Sequence, residues 1–258
     1  MVLTPENYYT LEANQHYWSA SLVKEFISCE ARALSSVRGE YTRPTTSALL
    51  IGGYVDAYIE GPNAFQAFCD NHPEIFKRDG SLKMDYVKAD DMIARINMSP
   101  VFMDFLTGER QVIKTGEIFG LPFKAKFDIY QEGKRIVDLK TVRDLKPVYV
   151  PGEGRLAYYD AWNWPLQMAI YQAVEGNHLP CYLAVVTKED PPDIDLIEVP
   201  QWRLDAELEF LKNKLPYFDA VKEGIIEPKR CEDCAYCRAS KEILEPRTIE
   251  RMDMEEER

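Results

Sequence analysis

Long apolar runs and histidines are what this sequence has least of. No apolar run approaches the roughly 20 residues needed to cross a bilayer, and residues 1–6 lack the charged-then-apolar order of a signal peptide. We therefore expect a cytoplasmic protein that does not engage membranes. The three histidines, His16, His72 and His178, are too scattered to indicate a catalytic triad.

Positive charge is also scarce. Lys and Arg number 31 against 43 Asp and Glu, which gives a formal net charge of -12. Sequence-independent affinity for nucleic acid comes largely from Lys and Arg that neutralise phosphates, so this balance argues against a general nucleic-acid binder. Much of the acid lies in residues 189–195 and 252–258, however, so a basic groove elsewhere in the chain stays compatible with the total.

The rest of the composition is that of an ordinary folded protein, with 46% hydrophobic and 29% charged residues in 258. No internal repeat is visible. We predict a single domain over residues 1–240, followed by an acidic tail, 241–258, that we expect to be disordered. Within the domain we predict a helical N-terminal part (1–108), a part with a sheet and helices (109–225) and a cysteine-rich segment (229–238).

Helical spacing of apolar residues organises the first hundred residues. Residues 19–37 begin with a Ser cap and place Leu22, Phe26, Cys29 and Ala33 on one face, which predicts a single amphipathic helix. Further helices are predicted over 46–59, over 62–68, and over 85–106 with an interruption near Pro100.

Three strands in an antiparallel meander are predicted after Gln111. Period-two geometry places Phe123, Ala125, Phe127 and Ile129 on one face of the second strand. The opposite face then carries Asp128 with two lysines, Lys124 and Lys126, as possible phosphate contacts or a solvated surface.

The third strand of the meander, 135–141, puts Asp138 and Lys140 on one face, roughly 6.6 Å apart along the strand. A long irregular connection is expected over 142–165, then a helix (165–175), two strands (181–188 and 194–199) and a helix (203–223). This order predicts an α/β fold with a central mixed sheet flanked by helices.

Asp128, Asp138 and Lys140 together suit metal-assisted hydrolysis of a phosphodiester. Carboxylate oxygens hold Mg²⁺ and leave positions for water and phosphate. A lysine can orient the water or neutralise charge in the transition state. Alone, such a trio also fits an ordinary polar strand face.

Two further motifs flank the trio in the chain. Gly52-Gly53-Tyr54-Val55-Asp56 lies on a predicted helix before the meander, and Gln167 and Tyr171 lie four residues apart on one face of a predicted helix after it. The ordered set resembles the RecB-type branch of the PD-(D/E)XK nucleases. Residues 19–30 are similar to the opening helix of phage and prophage RecE, or exodeoxyribonuclease VIII-like, proteins, and the similarity spans about residues 11–237.

The resemblance implies a restriction-endonuclease-like core and a role for each matching residue. Asp128, Asp138 and the Leu139 carbonyl would bind Mg²⁺ or Mn²⁺, and Lys140 would be the catalytic lysine. Asp56 stands where many relatives have His, and it is either a further metal ligand or a helix-surface carboxylate. Gln167 and Tyr171 would join the catalytic site and line its DNA-contacting side, or else be an exposed Gln beside a core Tyr.

The cysteines Cys231, Cys234 and Cys237 lie within seven positions, and Cys29 in the first long helix could be a fourth ligand. Some RecB-type nucleases join their two ends through a [4Fe-4S] cluster with one early and three late cysteines. Spacing alone leaves zinc, an iron-sulfur cluster and unmetallated thiols open.

The resemblance implies a metal-dependent exonuclease that resects linear duplex DNA ends for phage-type recombination and repair. A single-strand annealing protein and further copies of the chain are the partners it suggests. The alternatives are a catalytically silent nuclease-fold module that binds nucleic acid or protein, favoured by the acidic charge, and a RecB-type nuclease with a structural iron-sulfur cluster.

Overall fold

The structure, a computed structural model, describes residues 1–243. The prediction for the acidic tail therefore falls almost entirely outside the described residues. The helices are α1 (Leu11–His16), α2 (Ala20–Ser28), α3 (Glu30–Val37), α4 (Ser47–Glu60), α5 (Pro62–Asn71), α6 (Met84–Asn97), α7 (Pro100–Phe105), α8 (Tyr158–Ala161), α9 (Trp164–Glu175), α10 (Gln201–Lys222) and α11 (Ala235–Ala239), with one 3-10 turn at Pro73–Ile75. The strands are β1 (Glu109–Ile118), β2 (Leu121–Gln131), β3 (Arg135–Val142), β4 (Val148–Val150), β5 (Gly154–Leu156), β6 (Cys181–Thr187) and β7 (Ile194–Val199).

Five strands form one mixed sheet in the order β1, β2, β3, β6, β7. Neighbours are antiparallel except β3 and β6, which run parallel. A parallel pair needs a crossover of about a dozen or more residues, and the segment that contains α8 and α9 provides it. The predicted meander and the predicted α/β fold, a mixed central sheet flanked by helices, are confirmed.

Two apolar cores cover the two faces of this sheet. Helices α2, α3, α9 and α10 contribute to the first core, where Ile136 of β3 is buried. Helices α4, α6 and α7 contribute to the second, where the next residue, Val137, is buried. Because successive strand residues point to opposite faces, residues of β3 serve both cores. Within the described residues, no helix combines the length and apolar character of a membrane span.

The single helix predicted over residues 19–37 is wrong, because the chain forms two helices that meet at Cys29. The backbone of Cys29 is extended, with φ -168° and ψ 107°, so it ends α2 and precedes α3. Leu22, Phe26 and Ala33 are buried as the pattern predicted, in the first core. The break instead lets Cys29 contact the distant Cys237.

The predicted face of β2 is correct up to Phe127 and wrong at Ile129. Phe127 is buried in the first core, whereas Ile129 is buried in the second. The pairing of β1 with β2 skips the position of Gln111 and Asp128, and Gln111 has a positive φ of 52°. This local distortion interrupts the alternation of side chains at the predicted catalytic aspartate.

The connection predicted to be irregular over 142–165 is partly ordered. It contains the hairpin of β4 and β5 and the short helix α8, in which Tyr158 is buried and donates to Asp195 Oδ2 at 3.0 Å. Its aromatic residues therefore act as packing residues as well as loop residues.

Candidate active site

Strands β2 and β3 separate where the predicted carboxylates lie. Their pairing runs from Gln131 with Arg135 to Ile129 with Val137 and ends there. Beyond that point the N–H of Leu139 donates to Asp128 Oδ2 at 3.1 Å. The opening thus holds Asp128 against the segment of β3 that carries Asp138 and Lys140.

Asp138 is buried, with 1% of its surface exposed. Its Oδ1 accepts a hydrogen bond from Gln167 Nε2 at 2.7 Å. Its Oδ2 pairs with the Lys140 ammonium but, among residues 1–243, receives no hydrogen bond of normal geometry. Within the described residues, the Lys140 ammonium is therefore the cation that offsets the charge of this buried carboxylate.

Gln167 links this carboxylate to two lysines and a tyrosine. Its amide nitrogen also lies 3.0 Å from the Tyr171 hydroxyl. Its amide oxygen accepts from Lys24 Nζ at 2.6 Å and from Lys140 Nζ at 3.5 Å. Gln167 is only 7% exposed, so the alternative of an exposed glutamine is wrong.

Asp56 reaches the same region from α4 because two glycines let this helix approach its neighbours. A Cβ on Gly52 would lie 3.3 Å from Thr141 Oγ1, and a Cβ on Gly53 would lie 2.9 Å from Phe68 Cε2. A side chain at either position would therefore require Thr141 or Phe68 to shift. Glycine at these two positions therefore leaves room for Thr141 and Phe68 where α4 carries Asp56 to the cleft.

The three aspartates and Lys140 interact strongly because they are poorly solvated. Burial, and then the charges of Asp138 and Asp56, raise the pKa of Asp128 well above its ordinary value. Burial raises the pKa of Asp56 to about 7, with Lys140 opposing the shift and Asp138 adding to it. Although burial opposes it, the charge of Asp138 raises the pKa of Lys140. Asp128 and Asp56 therefore favour their protonated forms when no cation is bound, and a bound cation would favour their ionised forms.

A cleft of about 490 Å³ contains this group. It is open to solvent and lies between α4, α5, the N-terminal segment and the sheet. Its walls include every predicted residue of the carboxylate site: Asp56, Asp128, Asp138, Leu139, Lys140, Gln167 and Tyr171.

The two lysines predicted beside Asp128 have different positions. Lys124 is 2% exposed, and its ammonium donates to the Tyr8 carbonyl and to Asn14 Oδ1. It joins the N-terminal segment to β2, so the idea that it contacts phosphate is wrong. Lys126 lies in the cleft wall, with its ammonium 4.9 Å from the centre of the Tyr9 ring.

The residues of the cleft fit a hard divalent cation. Aspartate and backbone carbonyl oxygens are the donors that Mg²⁺ and Mn²⁺ prefer, and Asp138 Oδ2 already pairs with a cation, the Lys140 ammonium. The three aspartates are less tightly grouped than four of the cysteines. Within residues 1–243, those cysteines are the one set of possible metal ligands whose donor atoms all lie within 4.8 Å of one another.

The four predicted cysteines do come together. Cys29 Sγ lies 3.5 Å from Cys237 Sγ and 3.9 Å from Cys234 Sγ, and Cys231 Sγ lies 3.9 Å from Cys237 Sγ. The N–H of Cys234 donates to Cys231 Sγ, and the N–H of Cys237 donates to Cys234 Sγ, at 3.3 and 3.4 Å. We call these four residues the cysteine cluster. It ties α3 to the C-terminal segment.

The backbone around Cys231 favours the thiolate form of its side chain. Burial would raise its pKa, but hydrogen bonds from the N–H groups of Cys234 and Asp233 outweigh burial and lower that pKa to about 6. Metals bind thiolates rather than thiols, so the donor set fits a thiophilic metal. Cys69 and Cys181 lie outside the cluster.

The comparison with known proteins agrees with this geometry. Residues 19–240 match the family described as "PDDEXK-like domain of unknown function (DUF3799)". The chain belongs to this family. A solved structure from Eubacterium rectale, named "Putative exonuclease", is 37% identical and covers 98% of each chain with a TM-score of 0.92. Among curated proteins, none matches the chain.

These matches confirm the predicted PD-(D/E)XK superfamily and fold for this DUF3799 member. They support a nuclease and do not reach the narrower RecE assignment. Metal dependence and the roles of individual residues stay predictions.

Several residues of the cleft were missing from the sequence prediction. Lys24 of α2 contacts Gln167, and Ser21, Tyr8 and Tyr9 line the cleft. Lys24 lies between the buried residues Val23 and Phe26, so its pattern is that of any polar position on an amphipathic helix. The sequence holds no local signal for contacts that depend on how α2 packs against α9.

Proposed function

We propose that this DUF3799 member is a metal-dependent deoxyribonuclease that digests linear duplex DNA from its ends. The observation that carries the proposal is the opening between β2 and β3, where Asp128 and Asp138 lie with Lys140 in one cleft. A buried carboxylate, a half-buried one and a lysine at the end of a strand pairing suit phosphodiester hydrolysis better than a solvated strand face does.

Asp128, Asp138 and the Leu139 carbonyl would hold Mg²⁺ or Mn²⁺, with Asp56 as a further ligand. When bound, such an ion lowers the pKa of its water and neutralises charge on the phosphate. Lys140, already paired with Asp138, can move to the attacking water or to a phosphate oxygen. Gln167 orients Asp138 through the hydrogen bond from its amide.

A solved relative and an accessible cleft support action at DNA ends. The cleft is open to solvent, so we propose that it receives the end of one strand beside Asp128 and Asp138. The similarity to the Eubacterium rectale "Putative exonuclease" supports the same direction.

Digestion of linear and covalently closed duplexes of one sequence tests this proposal. With Mg²⁺ we expect the linear form to be shortened from its ends while the closed circle stays intact, and a chelator should stop the reaction. Cutting of the circle would refute the exonuclease assignment. Binding without cleavage of either form would favour the catalytically silent module.

The resection of ends for recombination, as in RecE-like proteins, is the biological role we propose for this activity. Its support is the ordered set of motifs from Ser19 to Tyr171. A strand left single by digestion would be the substrate of a single-strand annealing protein. Co-purification with such a protein, and the mass of the chain in solution, test the proposed partners.

We further propose that the cysteine cluster holds a structural metal. Its support is the set of four sulfur atoms within 4.8 Å of one another. Zn–S bonds of about 2.3 Å in a tetrahedral site require sulfur separations near those seen here, so the geometry favours one zinc ion over the larger [4Fe-4S] cluster.

A further inference from the structure

Lys24 is a charged residue without a charged partner beside the candidate active site. Its Nζ donates to Gln167 Oε1 at 2.6 Å, and no carboxylate in residues 1–243 lies within ion-pair distance of it. A lysine ammonium has three donors, so two of them have no acceptor among the described residues. A lysine that is partly withdrawn from water is usually stabilised by a nearby carboxylate.

The neighbours of Lys24 make its position more costly. Lys140 donates to the same Gln167 oxygen, at 3.5 Å, so two ammonium groups share one neutral acceptor. Burial, and then the charge of Lys140, lower the pKa of Lys24 to about 7, although the charge of Asp138 opposes the shift. A group of this kind is stabilised by an anion that can approach both lysines.

Helix α2 places Lys24 beside the cleft, in contact with Gln167 of its wall. Leu22, Val23 and Phe26 bury the opposite side of the helix in the first core. Ser21, one turn before Lys24 and on the same helical face, lines the cleft. Lys24 itself is only partly buried, so it can exchange the Gln167 oxygen for a substrate atom.

Lys124 shows what a structural lysine looks like in this protein. Its ammonium is fully enclosed and has two oxygen acceptors, the Tyr8 carbonyl and Asn14 Oδ1, which hold two segments together. Lys24 has one acceptor, and that acceptor is itself part of the candidate site. The contrast argues for a ligand rather than a packing role.

We propose that Lys24 is a second phosphate-binding lysine, which contacts a non-bridging oxygen of the same DNA phosphate that Lys140 and the metal engage. This inference rests on the proposed nuclease function and adds Lys24 as a residue that binds its DNA substrate. On substrate entry, Lys24 leaves Gln167 Oε1 for the phosphate, and the Gln167 amide stays on Asp138.

The salt dependence of DNA binding tests the proposal, because each lost phosphate contact reduces the slope of log K against log salt by about 0.7–0.9. Anisotropy of an internally labelled single strand is measured with Ca²⁺ in place of Mg²⁺, for wild type, Lys24→Met, Lys24→Gln and Lys24→Arg. Lys222→Met is the matched control, since Lys222 is a partly buried lysine whose ammonium lies 4.8 Å from the Trp18 ring centre.

In Lys24→Met and Lys24→Gln we expect the slope of log K against log salt to decrease by the equivalent of about one phosphate contact, and kcat/KM to fall at least tenfold. Lys24→Arg and Lys222→Met should keep the wild-type slope. The melting temperature of Lys24→Met should not fall, because the variant removes a buried charge. Wild-type slopes in both neutral variants would overturn the role of Lys24. If wild-type protein binds DNA but never cleaves it, the proposed nuclease function is refuted. The salt slopes of the variants would then still show whether Lys24 contacts phosphate. Absence of DNA binding would overturn both.

Discussion

Asp56 is a residue at which burial and ionisation oppose each other. Its folded pKa of about 7 exceeds the roughly 3.9 of an unfolded aspartate. The metal-free folded state therefore holds this proton more tightly than the unfolded chain does. Stability from Asp56 is present at low pH and is lost as pH rises from about 4 to about 7.

Replacing Asp56 by Asn should therefore stabilise the metal-free protein, and more so at high pH. We expect Asp56→Asn to raise the free energy of unfolding by at least about 1 kcal/mol at pH 8, and by less at pH 5. Urea unfolding in the presence of a chelator measures both values. An equal difference at the two pH values would show that Asp56 does not titrate in this way.

A bound divalent cation should stabilise the ionised carboxylates that destabilise the metal-free protein. A ligand at about 100 times its dissociation constant stabilises the folded state by about 2.7 kcal/mol, so millimolar Mg²⁺ should raise the melting temperature of wild type at pH 8. Asp128→Asn should reduce this gain, and Asp91→Asn, which alters an exposed carboxylate on α6, should not. Equal gains in all three proteins would place the ion elsewhere.

At the scale of elements, β1 approaches α9 closely at Gly116. A Cβ there would lie 3.2 Å from the Val174 carbonyl oxygen and 3.3 Å from its Cα. These are backbone atoms of the helix that carries Gln167 and Tyr171, and they cannot move aside as a side-chain tip can. We expect Gly116→Val to lower the free energy of unfolding by about 1–3 kcal/mol and to reduce nuclease activity. Thr115→Val, at the exposed neighbouring position, is the control. Similar stability of the two variants would contradict the close approach.

The cysteine cluster is also a contact between elements that are distant in the chain. Besides the sulfur atoms, Glu30 of α3 accepts from the Lys229 N–H at 2.8 Å and from the Tyr217 hydroxyl at 3.0 Å. We expect purified protein to contain one zinc ion per chain, and Cys231→Ser to lose it and to melt at a lower temperature. Cys69→Ser should keep both properties. Visible absorbance with about four iron atoms per chain would show the iron-sulfur alternative to be correct.

The sequence predicted the elements well where one local pattern determined them. The α4 pattern, the meander of β1 to β3 and the strand β7 follow from helical or period-two spacing and from Pro and Gly at their ends. The break at Cys29 was not predictable, since its side chain also suits a buried helical position. The distortion opposite Asp128 depends on how Gln111 meets β2, which local spacing does not encode.

At the scale of the whole molecule, the site joins residues from α2, α4, β2, β3 and α9. Four of these segments carried a recognisable motif, so the order of motifs predicted which residues line the cleft. The contribution of Lys24 came only from the packing of α2 on α9. Lys126 and Lys140 line the cleft, so the proposed contacts with phosphate do not require a broad basic surface and are compatible with the net charge of -12.

The most direct test of the account is the rate at which end-labelled linear duplex is digested with Mg²⁺ by wild type, Asp138→Asn and Lys140→Met, with Asp91→Asn as the control. We predict a loss of at least about a hundredfold in both site variants, folded as judged by circular dichroism, and full activity in the control. Digestion at the wild-type rate by either site variant would contradict the assignment of the catalytic site.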